Sequence, residues 1–254
     1  MYRIVIPARF AASRFPGKPL VSIAGKPMLQ WVFEHAGKAG AAEILIATDD
    51  ERIRAVATGF GASVCMTEVG HASGTDRIAE VARARGWEPQ DIVVNVQGDE
   101  PLIEPALIRQ VANMLERDPS AGIATLATPI QSVEALLDPN VVKVVTAADG
   151  GALYFSRAPI PWVRDGATAG VASQTRFDSA RRHLGLYAYR VATLCMLAAR
   201  PPSELEQLER LEQLRALEAG VRIVVADAEV QPGPDVNTPE DLAGVECRLR
   251  GAAR

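Results

Sequence analysis

The first part of the chain alternates short apolar runs with segments of helical periodicity. Ile4-Val5-Ile6, Ile44-Leu45-Ile46 and Ile92-Val93-Val94 are brief runs bounded by polar residues, Gly or Pro, which is typical of buried strands. The segments between them have the period of helices, at residues 27–39, 50–58 and 75–84. This alternation predicts a mostly parallel sheet with helices on both faces. Ligands of such sheets bind beyond the carboxyl ends of the strands.

After about residue 141 the pattern changes to paired strands, which predict a mixed or antiparallel arrangement. Strand patterns fall at residues 142–146, 152–155 and 184–189, and a last strand at 222–230 precedes a helix from Pro239. The sequence therefore predicts an α/β fold in two parts. Residues 1–140, completed by 222–254, form the main part, and residues 141–221 form the smaller one.

The segment 202–220 is predicted to be one helix. It carries leucines at every third position, which drift around a helix of 3.6 residues per turn and give it a broad apolar surface. The leucines are Leu205, Leu208, Leu211, Leu214 and Leu217. Such a helix belongs to the core, or is shared between its own domain and a partner subunit.

The composition limits the functional classes. The formal net charge of −4 and the pI of about 5.5 show no basic excess of the kind that duplex-binding proteins carry. Cys65, Cys195 and Cys247 are scattered, which argues against a disulfide framework and fits a reducing compartment. The sequence has neither the apolar stretch of a signal peptide nor a span long enough to cross a bilayer. We therefore expect a cytoplasmic protein that binds neither nucleic acid nor membranes.

A basic loop follows the first strand, in residues 7–20 (PARFAASRFPGKPL). Arg and Lys side chains match the negative charge of a triphosphate, and a glycine lets the backbone come close to it. The position at the carboxyl end of a strand favours phosphate binding over a merely solvated loop. The chain lacks GxGxxG after a strand and GxxxxGK[ST], which disfavours a dinucleotide-binding dehydrogenase and a P-loop NTPase. The candidate phosphate ligands are Arg9, Ser13, Arg14 and Lys18.

An acidic turn follows the strand at residues 92–94. In Asn95–Pro101 (NVQGDEP) a carboxylate pair, Asp99 and Glu100, lies at the end of a buried strand. Mg²⁺ prefers hard oxygen ligands and is often held by one or two carboxylates, with phosphate and water completing its shell. Asp99 is therefore a candidate Mg²⁺ ligand. The alternative is a plain turn in which the Asp bonds its own backbone.

The basic loop and six further segments, in order, resemble the CMP-Kdo synthetase (3-deoxy-manno-octulosonate cytidylyltransferase) family. The segments are 71–77 (HASGTDR), 95–101 (NVQGDEP), 154–161 (YFSRAPIP), 182–190 (RHLGLYAYR), 211–215 (LEQLR) and 238–242 (TPEDL). The resemblance covers nearly the whole chain. It implies a Rossmann-like fold of the nucleotide-diphospho-sugar transferase type, whose smaller part binds the sugar and forms a homodimer. It also implies Mg²⁺-dependent transfer of CMP from CTP to 3-deoxy-D-manno-oct-2-ulosonate (Kdo), for lipopolysaccharide biosynthesis.

The resemblance also implies roles for individual residues. Asp99, Arg9 and Lys18 would act in catalysis, and the nucleotide would contact Ser73, Thr75 and Arg77 in addition to the basic loop. The sugar would contact Gln97, Arg157, His183, Tyr187 and Glu212. Two of these assignments have structural alternatives: Ser73 with Asp76 has the spacing of a helix capping box, and a lone His on a strand is often structural.

One metal position departs from the family pattern. Members usually carry Asp directly before the TPED segment, whereas this chain has Asn237 there and Asp235 two residues earlier. In an extended segment the two side chains point to the same side, so Asp235 could restore the missing charge. The departure keeps open a nucleotide-binding homologue without turnover. A cytidylyltransferase for another acidic sugar, 8-amino-Kdo or a sialic acid, is the nearer alternative.

Overall fold

A computed structural model of the chain describes residues 1–10, 15–71, 73–236 and 238–252. The strands are β1 (Tyr2–Ala8), β2 (Ser22–Ile23), β3 (Lys26–Pro27), β4 (Glu43–Thr48), β5 (Ser63–Met66), β6 (Ile92–Asn95), β7 (Ile123–Pro129), β8 (Lys143–Thr146), β9 (Ala152–Ser156), β10 (Arg181–Arg190) and β11 (Ile223–Asp227). The α-helices are α1 (Met28–Gly37), α2 (Glu51–Gly59), α3 (Gly74–Ala84), α4 (Pro105–Arg117), α5 (Val133–Leu137), α6 (Val191–Ala198), α7 (Glu204–Glu209), α8 (Gln213–Glu218) and α9 (Pro239–Ala252).

Within the described residues, nine strands form one sheet with the central order β11-β7-β10-β6-β1-β4-β5. Neighbours from β6 to β5 are parallel, as are β7 and β11, whereas β10 runs antiparallel to both β6 and β7. The antiparallel pair β8–β9 joins the sheet where Lys143 meets Arg182 of β10. This arrangement confirms the predicted fold class, an α/β fold with a mostly parallel sheet and a mixed part.

Alternating side chains along the strands divide the core into two layers. Ile4 and Ile6 of β1 pack with α1, α2 and α4 on one face of the sheet. Val5 packs on the opposite face with apolar residues of α3, α6 and α8. β1 is thus apolar on both sides, as expected of a strand in a sheet covered by helices.

Segment 141–221 is tied closely to the main sheet. It supplies β10, which lies in the middle of the strand order. The division into two domains therefore stays a prediction, whereas the paired strands of this segment are confirmed. No helix of the described chain is long and apolar enough to cross a membrane.

The prediction of one helix over residues 202–220 is wrong. The segment forms α7 and α8, and the break lies at Arg210, whose φ of 53° and ψ of 51° are left-handed. Arg157 explains the break: its guanidinium donates Nε–H to the carbonyl oxygen of Glu209 at 2.7 Å, and Nη2 lies 3.5 Å from the carbonyl oxygen of Arg210. In a continuous helix these carbonyls would accept bonds from residues 213 and 214.

Candidate active site

The basic loop and the acidic turn meet at the carboxyl edge of the sheet. Their strands, β1 and β6, are adjacent and parallel, so both segments leave the same edge. Lys18 Nζ lies 2.7 Å from Asp99 Oδ2, and the lysine side chain is only 12% exposed. The two segments thus lie together at the edge where a sheet of the predicted kind binds its ligands.

Two glycines make this approach possible. Gly98 lies against β1, where a Cβ would come within 3.1 Å of the Pro7 carbonyl oxygen. Gly17 has a φ of 73° and precedes the 3₁₀ helix Lys18–Leu20. Because this left-handed conformation is strained for other residues, Gly17 gives the loop the turn that directs Lys18 towards Asp99.

Three cavities adjoin this edge, and Gln97 lines all of them. The basic cavity, of about 210 Å³, is lined by Arg9, Lys18 and Asp99, among others. The acidic cavity, of about 660 Å³, includes Asp99, Glu100, Arg182, Tyr187 and Asp235 in its lining. The polar cavity, of about 210 Å³, includes Thr75, Asn95, Tyr187, Tyr189, Arg210, Glu212 and Gln213.

A larger cavity of about 870 Å³ lies between β8 and residues 175–181. None of the predicted site residues that the structure describes lines this cavity. The predicted site residues therefore do not lie at the larger cavity, and the three smaller cavities around Gln97 form the candidate site.

Negative charge accumulates in the acidic cavity. The backbone N–H of Val236 donates to the carbonyl oxygen of Asp99 at 3.0 Å, which holds Asp235 close to Asp99. Burial, with Asp235 and Asp99 nearby, raises the pKa of Glu100 to about 8. Burial also raises the pKa of Asp235, against the opposing effect of Arg182, whose Nη2 lies 3.9 Å from the carboxylate.

These carboxylates fit a hard cation that is shared with phosphate. No group of three or more His, Cys, Asp or Glu side chains within the described residues could hold a metal by itself. Asp99 and Asp235 instead offer a pair, as is usual for Mg²⁺ bound together with a phosphate ligand. Asn237, Ser13 and Arg14 lie outside the described residues, so their assignments stay predictions.

The polar cavity brings together side chains that could bind sugar hydroxyls. Thr75 Oγ donates to Glu212 Oε2 at 2.8 Å. Glu212 is exposed as a whole residue, but partial desolvation of its carboxyl within the cavity raises the pKa of that group. Burial likewise raises the pKa of Tyr187 well above its usual value. The structure thus places Thr75, which was assigned to the nucleotide, beside Glu212.

His183 lies behind the cavities, and its predicted contact with the sugar stays a prediction. The side chain is 8% exposed, and Nε2 lies 3.0 Å from Thr125 Oγ. Because Oγ also lies close to the carbonyl oxygens of Leu184 and Leu186, which only accept, the His183 ring is the donor to Thr125. Burial lowers the pKa of His183 to about 3, and its ring packs 5.2 Å from that of Tyr187. His183 therefore supports Tyr187 in neutral form.

Thr125 of β7 lies opposite an irregularity in β10. The pairing of β10 with β7 shifts between Leu184 and Tyr187. The hydroxyl of Thr125 lies 3.1 Å and 2.9 Å from the carbonyl oxygens of Leu184 and Leu186 at this shift. Strand irregularities of this kind are common beside active sites, and Gly185 within an apolar strand pattern was the sequence signal for it.

Arg157 is also placed differently from its prediction. Its guanidinium bonds backbone carbonyl oxygens, with Nη1 2.8 Å from that of Pro139 in addition to the contacts at Glu209 and Arg210. Arg157 does not line any of the three cavities. Its position supports a role in fixing the α7–α8 corner, which carries Glu212 to the polar cavity.

Arg77 is fully buried, and its predicted contact with the nucleotide stays a prediction. Its Nη2 lies 2.7 Å from Asp49 Oδ2, and Nη1 donates to Thr67 Oγ. These bonds join the ends of β4 and β5. Ser73 forms the predicted capping box with Asp76 at the start of α3, and its contact with the nucleotide stays a prediction.

Sequence reasoning missed Asn95 and Gln213, which also line the polar cavity. A sequence signal existed for Asn95, which is a polar residue at the end of the apolar run Ile92-Val93-Val94. Gln213 lies in a leucine-rich segment, where the assumption of one continuous helix obscured its direction.

The sheet, the basic loop and its paired carboxylate define a nucleotidyltransferase of the cytidylyltransferase class, and the family model described as Cytidylyltransferase matches residues 3–223. Similar proteins include the 3-deoxy-manno-octulosonate cytidylyltransferases of Thioalkalivibrio sulfidiphilus and Pseudomonas syringae pv. syringae. Each is 54% identical, with 98% of this chain covered and 99% and 98% of the relative, respectively. The chain belongs to the 3-deoxy-manno-octulosonate cytidylyltransferase family.

Solved structures agree with this assignment. The structure of CMP:2-keto-3-deoxy-manno-octonic acid synthetase complexed with CTP has a TM-score of 0.88 and 41% identity, covering 99% of this chain and 100% of that one. The structure of 4-diphosphocytidyl-2C-methyl-D-erythritol synthase has a TM-score of 0.63 at 14% identity. This second likeness shows the fold alone.

Proposed function

We propose that the protein transfers CMP from CTP to Kdo and releases pyrophosphate. The anomeric hydroxyl of the sugar attacks the α-phosphorus, and the bond from that phosphorus to the pyrophosphate oxygen breaks. The observation that carries the proposal is the 2.7 Å contact of Lys18 with Asp99 at the edge of the basic cavity. This contact supports the proposal, because a cation suited to phosphate lies beside a carboxylate suited to Mg²⁺ in a chain of the matching family.

The basic cavity supplies the positive charge for the triphosphate. Arg9 and Lys18 both line it, and exchange of Lys18 from Asp99 to phosphate frees the carboxylate as the nucleotide binds. Phosphoryl transfer depends mainly on positioning and charge neutralisation, so preorganised cations stabilise the charge that develops on the leaving pyrophosphate.

Mg²⁺ is part of the proposal, with Asp99 and Asp235 as its protein ligands. When bound, the ion would neutralise phosphate charge and lower the pKa of the attacking hydroxyl. Burial is the main cause of the raised pKa values of Glu100 and Asp235, and neighbouring carboxyl groups add to it, so a cation bound there would offset both effects. Asp99, fixed by Val236 at the strand end, orients this cluster towards the basic cavity.

The acidic sugar is assigned to the polar and acidic cavities. Gln97, Tyr187 and Glu212 can bind its hydroxyls, and Arg182 and Arg210 are cations that border these cavities. Since Gln97 also lines the basic cavity, a sugar bound there lies next to the triphosphate. Such proximity is the main requirement of an in-line transfer between two substrates.

The proposal extends to a cytoplasmic homodimer that acts in lipopolysaccharide biosynthesis, as the family resemblance implies. Apolar side chains exposed outside the site support self-association: Leu153 is 62% exposed, Trp162 41% and Leu208 73%. Sedimentation-equilibrium ultracentrifugation would give twice the mass of the chain if the homodimer forms, and a single-chain mass at micromolar concentration contradicts it.

Pyrophosphate release tests the reaction. The purified protein is assayed with CTP or UTP and with Kdo, 8-amino-Kdo or N-acetylneuraminic acid, and products are identified by mass spectrometry. CTP with Kdo should give the highest kcat/KM, together with CMP-Kdo, and Asp99→Asn serves as the inactive control. A higher kcat/KM with another sugar acid would reassign the substrate. Calorimetric binding of CTP without product would indicate a homologue without turnover.

A further inference from the structure

Two buried amide side chains in the wall of the polar cavity have polar atoms without hydrogen-bond partners. Asn95 is 3% exposed and Gln213 is 7% exposed. Asn95 Oδ1 and Gln213 Nε2 have no partner among the residues that the structure describes. Both side chains line the polar cavity together with Gln97, Tyr187 and Glu212.

The two residues approach this cavity from different elements. Asn95 ends β6, where it is paired with Tyr187 of β10. Gln213 begins α8, directly after Glu212. Asn95 therefore reaches the cavity wall from the sheet, and Gln213 reaches it from the helix.

A buried polar atom without a partner lowers stability, and folded proteins keep few of them. Gln110 shows how this chain satisfies a buried amide elsewhere. Its Nε2 donates to the carbonyl oxygen of Asp227 at 2.7 Å, and its Oε1 accepts from the backbone N–H of Glu229 at 3.1 Å. The third buried atom of this kind, Arg77 Nε, belongs to a guanidinium whose other nitrogens are bonded. Asn95 and Gln213 thus differ from Gln110, because each has a buried polar atom without a partner and belongs to a residue that lines a cavity.

We infer that Asn95 and Gln213 are specificity-determining residues that read hydroxyl groups of the sugar. Asn95 Oδ1 accepts a hydrogen bond from a hydroxyl, and Gln213 Nε2 donates one to a hydroxyl oxygen. A hydroxyl can serve both atoms because it is donor and acceptor at once. The inference rests on the proposed function, because it takes the polar cavity as the sugar site. It adds two residues with assigned donor and acceptor roles.

The test replaces buried amide side chains by apolar side chains of similar size. It compares Asn95 and Gln213, which each have a polar atom without a hydrogen-bond partner, with Gln110, whose amide nitrogen and oxygen are both hydrogen-bonded. Asn95→Leu and Gln213→Met should each raise the KM for Kdo about 10-fold while the KM for CTP changes less than about twofold. Their melting temperatures should stay the same or rise, because an unpaired buried polar atom is removed. The control, Gln110→Met, should keep the KM for Kdo and lower the melting temperature by about 2–4 °C.

Deoxy analogues of Kdo identify the hydroxyl. The wild-type protein should discriminate against the analogue that lacks the recognised hydroxyl, and Asn95→Leu or Gln213→Met should discriminate about 10-fold less between it and Kdo. A merely structural residue would not change this ratio.

Three results separate the outcomes. An unchanged KM for Kdo in both variants overturns the inference, as does a melting temperature lowered as in Gln110→Met without a change in sugar discrimination. A wild-type protein that makes no CMP-sugar from any acid overturns the proposed function, and the inference with it. If the wild type is active but both variants keep its KM for Kdo and its discrimination between sugars, only the inference is overturned.

Discussion

The ammonium group of Lys18 lies 2.7 Å from the carboxylate of Asp99, although 81 positions separate the two residues in the chain. Each group offsets the charge of the other in the protein without substrates. The same contact implies competition, because a triphosphate attracts Lys18 and a divalent cation attracts Asp99. Nucleotide and metal should therefore bind cooperatively. Phosphate that binds Lys18 releases Asp99 for the metal, and a metal that binds Asp99 releases Lys18 for the phosphate.

Replacing Asp99 separates catalysis from nucleotide binding. Asp99→Asn keeps the size of the side chain, removes its charge and leaves Lys18 free to bind phosphate. We expect kcat to fall by about 100-fold or more while the KM for CTP changes less than about fivefold. Steady-state kinetics at saturating Kdo measures both, and near-normal turnover contradicts the role of Asp99.

Asp235 is expected to set the demand for magnesium. Asp235→Asn should raise the Mg²⁺ concentration for half-maximal activity about 10-fold, because it removes one of two carboxylates near the ion. Asp227→Asn is the matched control, since Asp227 lies outside the cavity and pairs with Arg181. The measurement is a titration of activity with MgCl₂. If the curves of the wild type and Asp235→Asn coincide, Asp235 is not a Mg²⁺ ligand.

His183 should make the protein less stable in acid. Its pKa falls from 6.5 to about 3 on folding. Between these two pH values His183 is protonated in the unfolded chain but stays neutral in the folded chain. The contribution of neutral His183 to the free energy of unfolding has its full value above pH 6.5. Below pH 6.5 it decreases by about 1.4 kcal/mol per pH unit, until the pH reaches the pKa of the folded state.

His183→Gln tests this linkage because glutamine can still donate to Thr125 but does not titrate. Urea unfolding between pH 4.5 and 7.5 should show the wild type losing free energy of unfolding relative to the variant as the pH falls. Other titrating groups cancel in this difference. Parallel pH curves for the two proteins contradict a buried neutral imidazole.

The buried ion pair of Arg77 with Asp49 is expected to stabilise the folded protein. Arg77→Met leaves Asp49 without its partner and is expected to lower the free energy of unfolding by about 3 kcal/mol, as for other broken buried ion pairs. Arg54→Met, which breaks an exposed pair with Glu51, should cost less than about 1 kcal/mol. Chemical denaturation gives both values, and calorimetry at a temperature where the variant is folded gives the Kd for CTP. A stable variant with strongly weakened CTP binding would support the predicted nucleotide contact.

The convergence of Lys18 with Asp99 could be predicted from the sequence because it depends on local information. Short apolar runs identify β1 and β6, and neighbouring parallel strands present their carboxyl ends at one edge. The capping box of Ser73 and Asp76 is local in the same way, since three positions separate the two residues.

The positions that sequence reasoning misplaced depend on distant contacts. The break between α7 and α8 coincides with the contact of Arg157 with the Glu209 carbonyl, 52 positions away, which leucine spacing does not reveal. Arg77 and His183 match the family motifs by residue type, but the strands around them decide that both are buried. Motif spacing thus predicts which residues belong to the candidate site, whereas the burial of each residue depends on the fold around it.

The central place of β10 constrains how this enzyme could diversify. Tyr187 belongs to a strand hydrogen-bonded on both sides, so a substitution there disturbs the ladders to β6 and β7 as well as the cavity. The corner at Arg210 and Glu212 joins two short helices and lies outside those ladders. Relatives that accept a different sugar acid should therefore have diverged first at this corner, with β10 retained.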